Sequence, residues 1–478
     1  MSSKSLSPNN KSVVVIGGGI AGSTAALALA EKGVPVTLLE RKNGLVSGPP
    51  ICHLHAGGNL YREISQQQCI TLLRQSIDTV RVFKHTLNVR PTVIAIPHTD
   101  PCDPNSLLPR LKAIQSSYQA LVDQDPENEV LGAPKNYFKL YSKSDLEQLK
   151  GRMQPSSPVS TDDWLIPFAQ FADLETLKYP VVAVEEHGWS VFRLAATSTI
   201  ALENLPSCEL KLEANVEKVT ELDDGRWQVC FQDSEGFHQR EFDYLINACG
   251  FETGTVDDWA GKKRQRLVEF KAAYVTQWQS MKMQWPEVIF HGPRGTPQGM
   301  AQFTPYPGGV FQLHGMTHDV TLFEDGLVSS NEGSAQPKLP QKFINKVYKG
   351  WSEEVLTQRT QRAIEHISQF IPSFSGASVA GQPLFGAQQI PGDDVTLRAA
   401  DVSFCGDNYA RLEVVKGSSV LDAAQQIINT LVKLDYCANT CMEFPQTSQL
   451  TLPLIEERAC ELAVSRGYPV ELAQSIDC

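Results

Sequence analysis

The first apolar block of the chain is residues 13–16, Val-Val-Val-Ile, followed at once by three glycines, Gly17 to Gly19. A short unbroken apolar run ending in a glycine turn predicts a strand buried on both faces. The small, uncharged stretch behind it predicts a helix over about 20–32, and residues 35–40 return to the strand pattern. Together they form a strand–helix–strand unit of about 30 residues. A further helix is expected around 70–87. Residues 98–154 read as less regular, rich in Pro, Ser and Asn, and 154–163 as a loop. The β-branched pattern resumes at 181–184, and a helix is expected at 194–205. Strands at 216–222, 226–232 and 238–244 are separated by Asp223-Asp224-Gly225 and Asp233-Ser234-Glu235-Gly236, both good turn sequences. A strand at 244–248 ends at Gly250. Further strands fill 267–316, two of them joined by Tyr306-Pro307-Gly308-Gly309. Helix is expected near 343–371, a last strand at 402–405 entering Gly406-Asp407, and helices at 418–434 and 453–466.

Length and charge narrow the class. At 478 residues the chain is too long for one compact core. Its net charge of −12 argues against a nucleic-acid partner, which would need a basic face. Residues 12–30 carry no charge and mimic a membrane span, but the glycines split them, so a soluble protein is expected. The 11 cysteines form no C-x-x-C pair. Cys437 and Cys441 lack His or Cys neighbours, so no metal site is predicted. Reduced, mostly buried thiols point to the cytoplasm, at most against a membrane surface.

The strongest chemical signal is Gly17-x-Gly19-x-x-Gly22 after a strand and opening a helix. Gly17 permits the tight turn, Gly19 the close approach of a diphosphate, and Gly22 the packing of helix on strand. The main-chain N–H groups of Ile20 and Ala21 then offer donors at a positive helix end. Glu40, 18 residues beyond Gly22, is placed to accept from ribose hydroxyls, with Arg41 beside it. The motif alone does not separate FAD from NAD.

Residues 13–41 resemble the opening of the FAD-dependent oxidoreductases that include D-amino-acid oxidase, sarcosine oxidase, malate:quinone oxidoreductase and 2-hydroxyglutarate dehydrogenase. Asp243-Tyr244-Leu245-Ile246-Asn247-Ala248-Cys249-Gly250 resembles the family strand that returns to the cofactor, which gives cofactor roles to Ala248 and Gly250, and to Val216 in the preceding meander. Phe404-Cys405-Gly406-Asp407 with Gly417-Ser418-Ser419 and a helix is similar to the Gly-Asp segment of glutathione-reductase-like and amine-oxidase flavoproteins. There the Asp binds the ribityl chain and the helix end faces the flavin. The chain departs from the flavin hydroxylases in lacking a Pro between Asp407 and Gly417, and from the amine oxidases in lacking an Arg-x-Gly-Gly run after its acidic residue.

The resemblance implies an α/β architecture: a glutathione-reductase-like FAD-binding Rossmann domain with a mixed-sheet α+β substrate domain. The FAD domain is expected in three segments, 11–90, 179–262 and 399–436. The substrate domain takes 91–178 and 263–398, and a helical extension takes 437–478. The activity implied is oxidation, by hydride transfer to flavin, of a C–H next to N or O in a small amine, amino acid or 2-hydroxy acid. An anionic substrate is compatible with this activity, and oxygen, a quinone or a carrier takes the electrons. A flavin monooxygenase and a protein with a purely structural flavin are the alternatives. His53 and His55 lie where the family brings its chain past the flavin, His53 as a cofactor contact, covalent in some members, and His55 as a catalytic candidate. Tyr306, His314 and His318 fall in the hairpin expected to roof the flavin. Arg411 and Arg193 are candidates for holding a substrate carboxylate. Glu413 and Lys416 read as solvated loop charges.

Overall fold

The computed structural model describes residues 11–47, 54–58 and 64–476, with backbone only for 54–56. Strand β1 (Val13–Ile16), helix α1 (Ile20–Glu31) and strand β2 (Val36–Leu39) form the predicted unit. They sit in a six-stranded sheet. Its order is Val402–Phe404, Tyr409–Leu412, Tyr244–Asn247, β1, β2, Cys208–Lys211. All neighbours run parallel except the edge strand Val402–Phe404, which is antiparallel to Tyr409–Leu412.

Both faces of this sheet are covered, as unbroken apolar strands require. Val13 and Val15 face α1 and the helices Val191–Glu203 and Val420–Lys433. Val14 and Ile16, one step out of phase, face the antiparallel meander Asn215–Glu221, Trp227–Asp233, Gly236–Phe242. Trp227 is fully buried there, and its indole N–H donates to the Asn408 carbonyl at 2.9 Å.

The second layer is a ten-stranded mixed sheet built around the 12-residue strand Arg266–Gln277. One face is aromatic: Phe290, Phe303, Phe311 and Trp285 pack under the helices Thr161–Phe171 and Glu353–Ser368. The strand Leu177–Val184 pairs in this sheet with Thr92–Pro97. Leu54–Ala56, His187–Trp189 and Leu87–Asn88 form a small separate three-stranded sheet with His187–Trp189 in the middle.

Three local expectations are corrected. Residues 98–154 are not irregular: they hold the helices Leu108–Gln124 and Lys143–Lys150 and the strand Phe138–Tyr141. The first helix is a true amphipathic one, burying Leu111, Ile114 and Tyr118 on one stripe, and its polar turns had the look of a loop. The 154–163 loop ends early, because Ser160 and Asp163 form a reciprocal capping box that starts a helix at Thr161. The strand at 402–405 is an edge strand, and the last parallel strand is Tyr409–Leu412. Among the described residues no helix is long and apolar enough to cross a membrane.

Replacing Trp227 by Ala should cost about 3–5 kcal/mol, because it empties the core between meander and sheet. Urea unfolding followed by fluorescence and circular dichroism measures it, and a loss below about 1 kcal/mol would show that this layer packs loosely.

Candidate active site

Strand direction decides where a site can form. In a parallel sheet every strand ends on the same edge, and here those ends are Gly17, Glu40, Ala248–Gly250 and Glu413. The glycine turn at this edge fits its expected geometry. Gly17 has φ +103°, and a Cβ on it would meet the Ala248 carbonyl oxygen at 2.5 Å. A Cβ on Gly22 would stand 1.9 Å from the Gly17 carbonyl oxygen. Gly19 is different: a Cβ there meets nothing within 4 Å and would project into open space. No side chain caps the α1 N-terminus, and its first turn carries no acid. The main-chain donors are therefore directed at a cleft.

That cleft holds about 540 Å³. Its walls include Gly17, Gly19, Glu40, Arg41, Val216, Ala248 and Gly250, all expected there from sequence. Glu40 is held rigid: its carboxylate accepts from the Gly18 N–H at 2.7 Å and the Lys42 N–H at 2.8 Å. Arg41 is ion-paired with Glu252 and donates to the Tyr348 hydroxyl at 2.9 Å. An uncapped helix end that donates, a glycine whose missing Cβ leaves room, and a fixed carboxylate that accepts are the features an adenine dinucleotide needs. An FAD fits these residues.

Gly417, Ser418 and Ser419 reach the same edge, since they follow the parallel strand Tyr409–Leu412. The Ser419 hydroxyl donates to Gln75 at 2.8 Å, and the Ser418 carbonyl accepts from Thr79 at 2.9 Å. The buried Ser418 hydroxyl has no partner.

Two expected residues are elsewhere. Gly406 and Asp407 form the tip of the antiparallel hairpin, exposed at the opposite edge of the sheet, where Asn408 receives the Leu245 N–H. Gly-Asp is good turn chemistry at either end of a strand, and only strand direction separates the two cases. Asp407 therefore does not face the cleft. Arg411 is 3% exposed and bound to Asp257 through Nε at 2.6 Å and to the Lys262 carbonyl. Asp257 also pairs with Arg266 and accepts from the Tyr409 hydroxyl at 2.7 Å. Arg411 is committed to this buried network and does not serve as a substrate anchor. Glu413, read as solvated, is buried and pairs with Arg264 at 3.3 Å.

The remaining candidates gather on the second sheet. Gln302 and Thr304 alternate with the aromatic Phe303, and pair across to His314 and Gln312. All four are buried on the face turned away from the aromatic core. Gln302 donates to Glu287, which pairs with Arg90 at 3.1 Å; both acid and base are fully buried. Tyr306 donates to Gln312 at 3.1 Å. Burial pushes the Tyr306 hydroxyl up to about 12, so it is a donor and not a base at neutral pH. Arg193, on the helix above, binds Asn88 and the Leu87 carbonyl. His187, whose Nδ1 is 3.0 Å from the Arg90 carbonyl, belongs to the strand that pairs with Leu54–Ala56. His55 thus stands opposite Gly188 in that ladder. His53 lies outside the described residues, and His318 is exposed.

The sequence reading missed the C-terminal lining. Phe192, Gln382, Phe385, Arg466 and Tyr468 also border the cleft, together with the strap Asn43–Ser47. One trio on the meander, Asp233, Glu235 and His238, of which only Glu235 is exposed, brings ligand atoms within 4.8 Å of one another. His238 is already bonded to Asp233 there at 2.7 Å.

Gly19→Ala should leave the ligand-free fold near wild-type stability yet weaken dinucleotide binding. Gly22→Ala should damage both, because its Cβ strikes backbone. Thermal unfolding and flavin content separate the two, and equal loss of stability in both variants would disprove the assignment. Acid should weaken this region. Burial lowers the His187 pKa from 6.5 to about 4. Its contribution is complete above pH 6.5 and falls, by up to on the order of 3 kcal/mol, as pH drops toward 4. His187→Gln should flatten that part of the stability–pH curve.

The fold recurs in solved structures. Glycine oxidase from Geobacillus kaustophilus aligns with TM-score 0.56 and 12% identity, covering 92% of this chain and 100% of that one. L-proline dehydrogenase from P.horikoshii aligns with TM-score 0.55 and 13% identity, covering 92% and 96%. The glycerol-3-phosphate dehydrogenase from Bacillus halodurans, complexed with FAD, aligns with TM-score 0.54 and 12% identity, covering 97% and 74%. At such identities the likeness is one of fold. No curated protein sequence matches the chain. Residues 12–392 match the family model of the FAD dependent oxidoreductases, so the chain belongs to that family and is an oxidoreductase with FAD as its cofactor.

Proposed function

We propose that the protein oxidises the C–H bond next to N or O of a small, carboxylate-bearing amine, amino acid or 2-hydroxy acid. Oxygen, a quinone or a carrier takes the electrons. When bound, FAD supplies the hydride acceptor. The chain's own residues position the substrate and exclude water.

The observation that carries this reading is the buried polar face of the second sheet. Among the described residues, Arg90 Nε and Nη2, Arg193 Nε, Thr304 Oγ1 and Gln312 Nε2 are buried without hydrogen-bond partners. An unpaired buried polar atom costs about 1–3 kcal/mol, so several in one place suit a polar guest. Four of the five atoms belong to N–H donors, the complement of a carboxylate. Tyr306 adds a hydroxyl that stays protonated. The similar folds include a proline dehydrogenase, a glycine oxidase and a glycerol-3-phosphate dehydrogenase, enzymes named for small anionic or zwitterionic compounds. In the proposed arrangement Gly17, Gly19, Ile20, Ala21 and Gly22 hold the diphosphate. Glu40, Arg41, Val216, Ala248 and Gly250 border the adenosine end. Gly417–Ser419 approaches the flavin, and Tyr306 and His314 serve the substrate side with the strand that carries His55.

Anaerobic mixing with a panel of D- and L-amino acids, N-methyl amino acids and 2-hydroxy acids tests the proposal by bleaching of the flavin colour. Reduction by dithionite but by none of these compounds would favour a structural flavin instead. Thr304→Val gives a sharper test. Removing an unpartnered hydroxyl should stabilise the substrate-free protein by about 1 kcal/mol. It should also raise KM for the bleaching substrate several-fold. A stability gain with unchanged kinetics would place the substrate elsewhere.

A further inference from the structure

The C-terminal helix Leu452–Ser465 lies beyond the span matched by the family model, and the residue after it is Arg466. The helix packs its buried Ile455, Ala459 and Ala463 on a seam with Phe192 and Leu384. The chain then reverses at Gly467, with φ +75°, and the Tyr468 hydroxyl binds the Pro383 carbonyl at 2.9 Å. This turn sets Arg466 at the rim of the cofactor cleft. Its guanidinium donates to the carbonyls of Leu45 at 2.8 Å and Val46 at 3.2 Å. Val46 in turn donates to the Gly18 carbonyl at 2.8 Å. Arg466 therefore sits across the strap that lies over the glycine turn.

The charge balance of the rim is unusual for so acidic a chain. Arg41 is neutralised by Glu252, but neither Arg466 nor Lys42 has a carboxylate within ion-pair distance among the described residues. The two cations face each other closely enough that Arg466 helps hold the Lys42 pKa below its usual value, after burial and Arg41. Glu40 is the acid that acts on both, without being within ion-pair distance of either, and each of its oxygens accepts one main-chain N–H group with a lone pair left over. With Arg41, Lys42 and Arg466 set against Glu40 and Glu252, the rim beside the donor-rich end of α1 keeps a net positive charge that suits a diphosphate.

We propose that Arg466, delivered by the C-terminal extension and seconded by Lys42, binds the diphosphate of FAD from the side opposite the glycine turn. The extension then acts as a clamp on the cofactor, closing a cleft that residues 12–392 leave open on one wall. The inference rests on FAD occupying this cleft.

The test uses full-length protein stripped of flavin and titrated with FAD, ADP and adenosine. Adenosine lacks the diphosphate and reports whether the cleft itself is intact. Arg466→Gln should weaken FAD and ADP by about tenfold or more while adenosine binding stays within about twofold. The loss should shrink as salt is raised in the wild type, and Arg466→Lys should recover part of the affinity. Unchanged ADP binding in Arg466→Gln would overturn the proposal. Equal losses for ADP and adenosine would overturn it too, by showing that Arg466 only props the strap. If Arg466→Gln fails to fold, Lys42→Gln takes its place with the same three ligands, and intact ADP affinity there refutes the two-cation site. Wild-type apoprotein in which ADP does not compete with FAD would instead refute the placement of the cofactor.

Discussion

The arrangement of this molecule follows from one constraint: parallel strands end on a common edge. Once β1 pairs with β2 on one side and Tyr244–Asn247 on the other, their carboxyl ends stand together. The chain must leave the sheet there in opposite directions, and a crevice opens between the departing loops. Backbone N–H groups at the start of α1 have no partner in the helix and point into that crevice. The close contact between Gly22 and the Gly17 carbonyl brings α1 near enough to the strand for these donors to share one site. The cleft proposed for the cofactor is thus a consequence of sheet direction and side-chain absence, with few side chains required.

That is also why part of the molecule is legible in its sequence and part is not. The β1–α1–β2 unit shows itself because buried parallel strands read as bare apolar runs and the glycines mark the turn between strand and helix. The meander shows itself through its turn residues. The direction of a strand, by contrast, leaves no local trace. Gly406-Asp407 has the composition of a loop at a carboxyl edge, yet two residues later Tyr409 begins the strand that actually runs parallel. The loop that reaches the carboxyl edge is the next one, Glu413–Ser419. Arg411 fails as a substrate anchor for a related reason. Its position in sequence places it near the cofactor edge, but the pairing with Asp257 depends on a helix 150 residues earlier. The lining from Arg466 was illegible because its partners, Leu45 and Val46, are some 420 residues away.

Two buried arginine systems show how the fold treats charge differently for structure and for chemistry. Arg266 and Arg411 converge on both oxygens of Asp257, joining the helix Thr253–Trp259 of the first layer to the opening residue of the long strand of the second. A hydrophobic replacement of such a network is often no less stable, so its value lies in fixing one relative placement of parts. Arg90 has one carboxylate, Glu287, and two nitrogens with nothing to bind. Its neighbours Thr304 and Gln312 are unsatisfied as well. These unpartnered groups lie on the polar side of a sheet whose reverse is packed with phenyl rings, and the aromatic layer holds the strands in register.

The C-terminal extension extends the same logic from substrate to cofactor. Its helix is ordered by an apolar seam that needs no ligand, with Ala459 and Ala463 fully buried. Arg466 is in turn fixed by two carbonyls and lies 5.9 Å from the Phe192 ring. A long arginine side chain free in solvent would lose about 0.5–1.5 kcal/mol of rotamer freedom on gripping an anion. Here that freedom is spent during folding, so the cation is already in position when the anion arrives. The cost moves to the unliganded protein, which must hold Arg466 and Lys42 near each other with Glu40 acting on both and no ion pair to either. A site strained in this way by its own charge is relaxed by a bound dianion, and binding then stabilises the fold that made the site.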